Sequence, residues 1–70
     1  MRLSTRNQLT GSVVSLTRGE AMAVVKVQLA GTDIVMTSAV TAESVDDLGI
    51  EVGKEVTLLV KSTEVALGVE

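Results

Sequence analysis

Two polar clusters, one near each end of the 70-residue chain, contain the side chains that could do chemistry. The first is Arg2-Leu3-Ser4-Thr5-Arg6-Asn7, with two guanidinium groups, two hydroxyls and an amide. The second, Lys61-Ser62-Thr63, places a cation and two hydroxyls between two apolar runs. Such groups could bind a ligand, but a solvated chain terminus and an exposed bend between strands would have the same composition. Composition alone leaves both interpretations open.

Enzymatic chemistry finds little support in the rest of the sequence. The chain has no His and no Cys, which removes the usual bases and nucleophiles near neutral pH and the usual zinc ligands. Asp46 and Asp47 are adjacent, but neighbours in a helical turn point apart, and acidic residues near a helix start stabilise the helix. Lys61-Ser62-Thr63 resembles the end of a phosphate-binding loop, yet Val60 stands where that loop needs Gly. We predict a binding protein with no catalytic residues and no direct metal ligands.

Charge and composition argue against several other classes of protein. With a net charge of −3 and no aromatic residue, the chain lacks the electropositive surface and the stacking side chains of nucleic-acid binders. No apolar run reaches the roughly 20 residues of a membrane span, and the N-terminus lacks the apolar segment of a signal peptide. We expect a soluble cytoplasmic protein, a single domain over residues 1–70, with neither nucleic acid nor a membrane as partner.

The core available to this chain is small. Hydrophobic residues make up 46% of the sequence, but they are almost all Val, Leu, Ala, Ile and Met, without Phe, Tyr or Trp. A core of that kind in so short a domain rarely supplies more than about 3–5 kcal/mol. Because there is no Cys for a disulfide, we expect an obligate oligomer that buries apolar surface between its copies.

The elements that must position the polar clusters are mostly strands. Apolar residues alternate with polar ones, most clearly over residues 23–29, which predicts a half-buried strand. Residues 41–49 break this pattern and predict one short helix, with Gly49 as the C-cap. Thr41 and Ser44 are both candidate helix caps, and Ser44 with Asp47 fits a capping box. Five strands are predicted in all, over residues 11–16, 21–29, 34–41, 56–60 and 65–69. The expected fold is all-β with one short helix, a small OB-like five-stranded barrel.

Four motifs, in order and spread over essentially the whole chain, resemble those of one family. Ser4-Thr5-Arg6-Asn7-Gln8-Leu9-x-Gly11 is similar to the S-A-R-N-x-L-x-G opening of the molbindins, which are small molybdate- and tungstate-binding proteins. Residues 41–49 are similar to the family's T-x-x-S-V-x-x-L-G segment. Gly53-Lys54-Glu55-Val56 and Val60-Lys61-Ser62-Thr63-x-Val65 are similar to its G-K-E-V and I-K-S-T-x-V elements. Any one tetrapeptide is weak, but four in register over so short a chain are specific.

The resemblance implies an OB-like barrel assembled as a homo-oligomer, a hexamer built as a trimer of dimers, with oxyanions bound at subunit interfaces. It implies that Ser4 and Arg6 come from one chain and that the other ligands come from a neighbour, with backbone amides completing the shell. These other ligands are Thr41, Ser44, Lys61 and Ser62. Further candidates are Thr5, which stands where the family usually has Ala, Asn7, Ala21, and Met22, which stands where relatives often have Asn.

The side chains that the resemblance implies would suit molybdate. Molybdate is a tetrahedral dianion that carries no proton at neutral pH, so its site needs only hydrogen-bond donors. Arg6 and Lys61 would match the two charges of the ion, and serine and threonine hydroxyls would supply further donors. A pocket without carboxylates should disfavour protonated phosphate, and ion size should disfavour sulfate. Molybdate and tungstate should bind alike.

The predicted function is non-enzymatic binding of molybdate or tungstate for intracellular storage and homeostasis, with the oxyanion as ligand and no cofactor. The length of the chain favours storage, since no DNA-binding or ATPase domain is attached. One alternative is a structural or sensory interaction domain whose partner contacts respond to the oxyanion. The other is a nucleic-acid-binding OB module, which the net charge and the absence of aromatic residues oppose.

Overall fold

The computed structural model of the protein describes residues 3–70, so Arg2 of the N-terminal cluster lies outside the described residues. The elements are β1 (Asn7–Arg18), β2 (Met22–Leu29), β3 (Val35–Thr41), α1 (Ala42–Leu48), β4 (Glu55–Val60) and a 3-10 turn (Ser62–Glu64). The four strands form one antiparallel sheet in the spatial order β3-β2-β1-β4. Over residues 3–70, no helix has the length and hydropathy needed to cross a membrane.

The long strand β1 curls the sheet, because it pairs with different neighbours along its length. Its first half, Asn7–Ser12, pairs with β4, and its second half, Gly11–Arg18, pairs with β2. The register with β2 shifts between Val13 and Ser15, which marks a β-bulge that increases the local twist. The sheet is therefore a half-barrel with a concave inner face.

Gly11 lies where both neighbours hold β1, since it pairs with Leu29 and with Val56. It is buried, and a Cβ atom at this position would clash with the carbonyl oxygen of Gln28 and lie 2.7 Å from Cγ1 of Val27. Glycine is the residue that permits this close approach of the strands, and hence the curl.

The core lies on the concave face and is built from alternate residues of the strands. Its fully buried members are Val13 of β1, Ala23, Val25 and Val27 of β2, and Val45 of α1. Partly buried apolar residues pack around them: Leu16, Val40, Ile50, Val56 and Leu58. The predicted period of two is confirmed in β2, where buried and exposed residues alternate along the strand.

The predicted short helix is confirmed, but its N-cap is Thr41 rather than Ser44. Thr41 Oγ1 accepts a hydrogen bond from the Ser44 backbone amide at 3.1 Å, and Ser44 is the third helical residue, so the predicted capping box of Ser44 with Asp47 is wrong. The cap falls at Thr41 because β3 pairs with β2 as far as this residue and the chain turns directly into the helix. Gly49 is the C-cap as predicted, in the left-handed region with φ of 64°.

The prediction of a fifth strand over residues 65–69 is wrong for the single chain. The described residues contain four strands, so the sheet is an open half-barrel rather than a five-stranded barrel. After β4 the chain enters the 3-10 turn, which includes Thr63. Residues 65–69 then pair with no strand in the described chain, and Leu67 and Val69 are 95% and 100% exposed. An alternating pattern forms a strand only beside a free sheet edge, and no such edge pairs with residues 65–69 within the described chain.

Candidate functional site

Six of the predicted ligand residues lie where β1 begins and β4 ends, which we call the β1/β4 end. Asn7 and Val60 form the last pair of these strands. Arg6 comes directly before β1 and Lys61 directly after β4, so both cations adjoin the last pair of these strands. Arg6 and Asn7 also line a cavity of about 450 Å³ together with Val60 and Val65. The six residues at this end are Ser4, Thr5, Arg6, Asn7, Lys61 and Ser62.

The other four predicted residues, Ala21, Met22, Thr41 and Ser44, lie where β2 begins and β3 ends, which we call the β2/β3 end. Met22 pairs with Thr41, and the Ala42 amide donates a hydrogen bond to the Ala21 carbonyl oxygen at 2.8 Å. Thr41 Oγ1 and Ser44 Oγ are 2.7 Å apart and share a hydrogen bond. This bond uses only one of the two hydroxyl protons, so the pair retains one proton that it can donate to a ligand.

These two ends lie at opposite sides of the sheet. β1 runs from the first end towards the second, and its 12 residues span roughly 35 Å along the strand at about 3.3 Å per residue. A single tetrahedral anion cannot bridge that distance, so one chain does not gather all ten residues into one site. Lys61 and Ser62 follow β4 at the end of the sheet where Arg6 precedes β1, and Thr41 and Ser44 lie at the other end.

Two of the five cations in the described residues hold α1 in place. Arg18 donates two hydrogen bonds to the Asp46 carboxylate, at 2.7 and 2.6 Å, and this ion pair joins the end of β1 to α1. The hydrogen bond from Arg18 lowers the pKa of Asp46, and the same bond raises the pKa of Arg18. Lys54 Nζ donates to the carbonyl oxygens of Leu48 and Gly49 at 2.9 and 3.2 Å, where a cation complements the helix dipole.

The other three cations, Arg6, Lys26 and Lys61, are exposed and form neither a salt bridge nor a side-chain hydrogen bond within residues 3–70. Two of them, Arg6 and Lys61, lie at the β1/β4 end, which also carries Ser4 and Ser62. Unpaired positive charge beside neutral donors is an arrangement that binds an anion. Over the same range, no cluster of three acidic side chains could hold a metal ion.

The Arg18–Asp46 ion pair is a feature that sequence reasoning missed. The two residues are 28 positions apart, and no local pattern connects a strand residue to a helical residue at that separation. Asp46 was assigned only a role in stabilising the helix start, whereas it anchors α1 to the end of β1. Because α1 follows Thr41 directly, this ion pair helps to hold the β2/β3 end.

A curled antiparallel half-barrel with one short helix is an OB-like fold. Comparison with known families then assigns the family. The TOBE domain model matches residues 3–67, and the chain belongs to this family.

Similar proteins are binding proteins of the molbindin type. A probable molybdenum-pterin-binding protein of Haemophilus influenzae is 43% identical over 70 residues, which is the whole of both chains. The solved structure of MopII from Clostridium pasteurianum has a TM-score of 0.90 and 41% identity, over 97% of this chain and 100% of that chain. The cytoplasmic molybdate-binding protein ModG, solved with molybdate bound, has a TM-score of 0.92 and 40% identity, over 100% of this chain and 49% of its own.

Proposed function

We propose that the protein binds molybdate or tungstate at interfaces between copies of its own chain, for storage and homeostasis of the oxyanion in the cytoplasm, and that it catalyses no reaction. The observation that carries this proposal is the pair of exposed cations, Arg6 and Lys61, which both adjoin the last β1–β4 pair and form no salt bridge in the described residues. The similar proteins support the choice of ligand, since they are named for binding molybdenum-pterin or molybdate. The ligand would be the oxyanion itself, with no further cofactor.

The donor chemistry of the β1/β4 end supports a fully ionised anion. Arg6 and Lys61 would form charge-assisted hydrogen bonds to two of its oxygens, and the hydroxyls of Ser4 and Ser62 can rotate to donate to the others. A protonated phosphate would need an acceptor for its proton, which these side chains offer poorly. Molybdate and tungstate are nearly equal in size and charge, so this site would hold either ion, whereas the smaller sulfate would fit less well.

A second copy of the chain would complete each site. Thr41 and Ser44 would come from that copy, because within one chain the β2/β3 end lies too far from Arg6. Lys61 and Ser62 would come from the same chain as Arg6, because Arg6 and Lys61 both adjoin the last pair of β1 with β4. This division differs from the one that the resemblance implied, in which all four of these residues belong to the neighbour. The register of β1 with β4 is the reason for the change.

An open apolar groove supports the proposed oligomer. The concave face between the free edges of β3 and β4 forms a cavity of about 400 Å³, with Met36, Val40, Ile50 and Leu58 among its lining residues. Residues 65–69 alternate exposed apolar side chains with other residues, as a strand with one buried face does. We infer that this segment of a second copy fills the groove as the fifth strand. Reciprocal exchange would give a dimer, and three such dimers would give the hexamer.

Native mass spectrometry of the protein with molybdate beside excess sulfate tests the proposal, because it reports the number of subunits and of bound anions together. We expect a hexamer that gains molybdate and no sulfate. Lys61→Ala should weaken molybdate binding by about tenfold or more, since a hydrogen bond to a charged group is worth about 1.5–3 kcal/mol. Lys26→Ala is the matched control, because Lys26 is an exposed cation on the outer face of β2.

Each alternative outcome has a clear meaning. A hexamer that binds neither anion would contradict the proposed ligand and favour the structural interaction domain. A monomer that stays folded on dilution would contradict the proposed interface. Equal loss of binding in Lys61→Ala and Lys26→Ala would contradict the location of the site at the β1/β4 end.

A further inference from the structure

Lys61 and Ser62 form the joint between the sheet and the C-terminal segment, in addition to their proposed role as ligands. Lys61 follows the last residue of β4, and Ser62 begins the 3-10 turn. The turn is closed by hydrogen bonds from the Glu64 amide to Lys61 O at 2.9 Å and from the Val65 amide to Ser62 O at 3.4 Å. The direction in which residues 65–69 leave the sheet therefore depends on the same backbone that carries the Lys61 and Ser62 side chains.

Two like charges adjoin this joint. The pairing of β1 with β4 stops at Asn7 and Val60, and the next residues on the two strands are Arg6 and Lys61. Like charges opposite each other on neighbouring strands destabilise the pairing. Glu64, the acidic residue nearest to Lys61 along the chain, forms no salt bridge with either cation in the part of the chain that the structure describes. When no anion is bound, repulsion between the two cations therefore opposes the closed state of the joint, in which Arg6 and Lys61 are close together.

We propose that the bound oxyanion acts as a clasp for the C-terminal segment. Lying between Arg6 and Lys61, the dianion replaces their repulsion by attraction to both, and it thereby fixes the 3-10 turn and holds residues 65–69 in the groove of the second copy. This inference rests on the proposed function and adds a form of regulation to it. Subunits exchange readily between empty oligomers and slowly between loaded ones.

Linkage gives the direction and the size of the effect. An anion that contacts both cations binds the closed state, with Arg6 and Lys61 close together, in preference to the open state, with the two cations apart. It therefore favours the state in which residues 65–69 are docked. For a ligand at a hundredfold excess over its Kd, such a preference shifts the equilibrium by up to about a hundredfold. Changes of this kind in protein complexes appear mostly in the dissociation rate. The rate of subunit exchange is therefore the quantity to measure.

The test mixes unlabelled and isotope-labelled wild-type oligomers and follows the mixed species by native mass spectrometry. We expect molybdate, at about a hundredfold excess over its Kd, to slow the exchange about tenfold or more. Sulfate at equal ionic strength should leave the rate unchanged. This comparison needs no variant, so it does not depend on whether a substituted chain assembles.

Variants that remove one positive charge at the joint test the proposal independently. Lys61→Gln removes the repulsion, so without any anion it should exchange about two- to fivefold more slowly than the wild type, and molybdate should no longer change its rate. Arg6→Gln removes the other charge and should behave in the same way. Lys26→Gln removes one positive charge far from the joint and should exchange at the wild-type rate.

The outcomes separate this inference from the function on which it rests. Molybdate that adds mass to the oligomer without slowing its exchange would overturn the clasp and leave the proposed function in place. Absence of bound molybdate would overturn the proposed function and the clasp together. Faster exchange of Lys61→Gln than of the wild type, both without anion, would overturn the clasp as well.

Discussion

The chemistry of single residues in this protein depends on which charged side chains are already engaged. Arg18 and Lys54 hold α1, whereas Arg6 and Lys61 form no salt bridge in residues 3–70 and lie at the β1/β4 end. The chain as a whole carries a net charge of −3, yet two cations without a salt bridge in the described residues lie at one end of its sheet. Local placement of charge, rather than net charge, therefore makes an anion site reasonable in this acidic protein.

Thr41 combines two roles that substitutions can separate. Its hydroxyl caps α1 and belongs to the proposed site. Thr41→Val keeps the side-chain shape but removes the hydroxyl, so it should lower the free energy of unfolding by about 0.5–2 kcal/mol, the usual contribution of an N-cap, and weaken molybdate binding. Thr41→Ser keeps the hydroxyl and should retain both properties. Denaturant unfolding measures the stability of both variants, and calorimetric titration measures their binding of molybdate. Wild-type binding by Thr41→Val would mean that the hydroxyl only caps the helix and does not contact the anion.

The Arg18–Asp46 ion pair predicts how stability depends on acid. Because the hydrogen bond from Arg18 lowers the pKa of Asp46 in the folded protein, the ionised pair stabilises the fold above the unfolded pKa of about 3.9. That contribution is lost as the pH falls through the lower pKa of the folded state. The free energy of unfolding of Asp46→Asn should therefore fall less between about pH 5 and pH 2 than that of the wild type.

The control for this pH dependence is Asp47→Asn, which removes the neighbouring carboxylate outside the ion pair. This variant should follow the wild-type profile in denaturant unfolding over the same pH range. Coincident profiles for Asp46→Asn and the wild type would mean that the ion pair contributes nothing to stability, as happens for many exposed pairs.

Among the elements, β1 decides the shape of the domain because it belongs to both halves of the curled sheet. The close approach of its neighbours at Gly11 predicts that Gly11→Ala forces the strands apart. We expect the free energy of unfolding to fall by about 1–3 kcal/mol, as in other overpacked sites. Ser12→Ala, at the adjacent exposed position, is the control and should stay close to the wild type. Unchanged denaturant unfolding of Gly11→Ala would mean that the half-barrel opens at little cost.

A comparison of β2 with residues 65–69 explains why one predicted strand is confirmed and the other is wrong for the single chain. Both segments alternate apolar with other side chains. In β2, Ala23, Val25 and Val27 face the core, and β1 and β3 flank the strand on both sides. Residues 65–69 have neither a core to face nor a strand beside them in the described chain. Alternation indicates which side of a segment is apolar, but the segment forms a strand only when the free edge of a sheet lies beside it.

At the scale of the whole molecule, the proposed function makes the single chain incomplete in two respects. Its groove lacks a fifth strand, and the predicted ligand residues divide between the two ends of its sheet. A second copy would remedy both, since it would supply a strand to the groove and the missing donors to the site. The small core of Val and Leu would gain apolar surface at the same time.

Leu67 tests the proposed strand exchange. It is 95% exposed in the chain, so Leu67→Asp should not disturb the fold of residues 3–60, but it would place a charge in the apolar groove of the second copy. We expect the variant to dissociate into smaller species in native mass spectrometry at concentrations where the wild type stays assembled. Ala66→Asp is the matched control, because alternate residues of a strand face opposite sides and Ala66 would face away from the groove.

The opposite result would be informative. If Leu67→Asp assembles as the wild type does, residues 65–69 do not provide the interface. If Ala66→Asp dissociates and Leu67→Asp does not, the segment docks with its other face towards the groove, and the period-two argument for this strand is wrong.

The sequence by itself determined the features that depend on neighbours along the chain. The alternation through Ala23, Val25 and Val27 predicted β2 and its buried face, and Gly49 predicted the end of the helix. The motifs around Arg6 and Lys61 led to the right family, because they are contiguous stretches that can be compared residue by residue. Each of these features involves interactions within a few residues, so the linear order carries the information.

Only the tertiary structure decided which distant residues meet. The register of β1 with β4 puts Lys61 at the same end of the sheet as Arg6 and leaves Thr41 at the other end, which no motif indicated. Arg18 meets Asp46 across 28 positions, and residues 65–69 find no partner strand in the described chain. Strand register and side-chain convergence depend on contacts between remote parts of the chain, and a local pattern is the same whether or not those contacts exist.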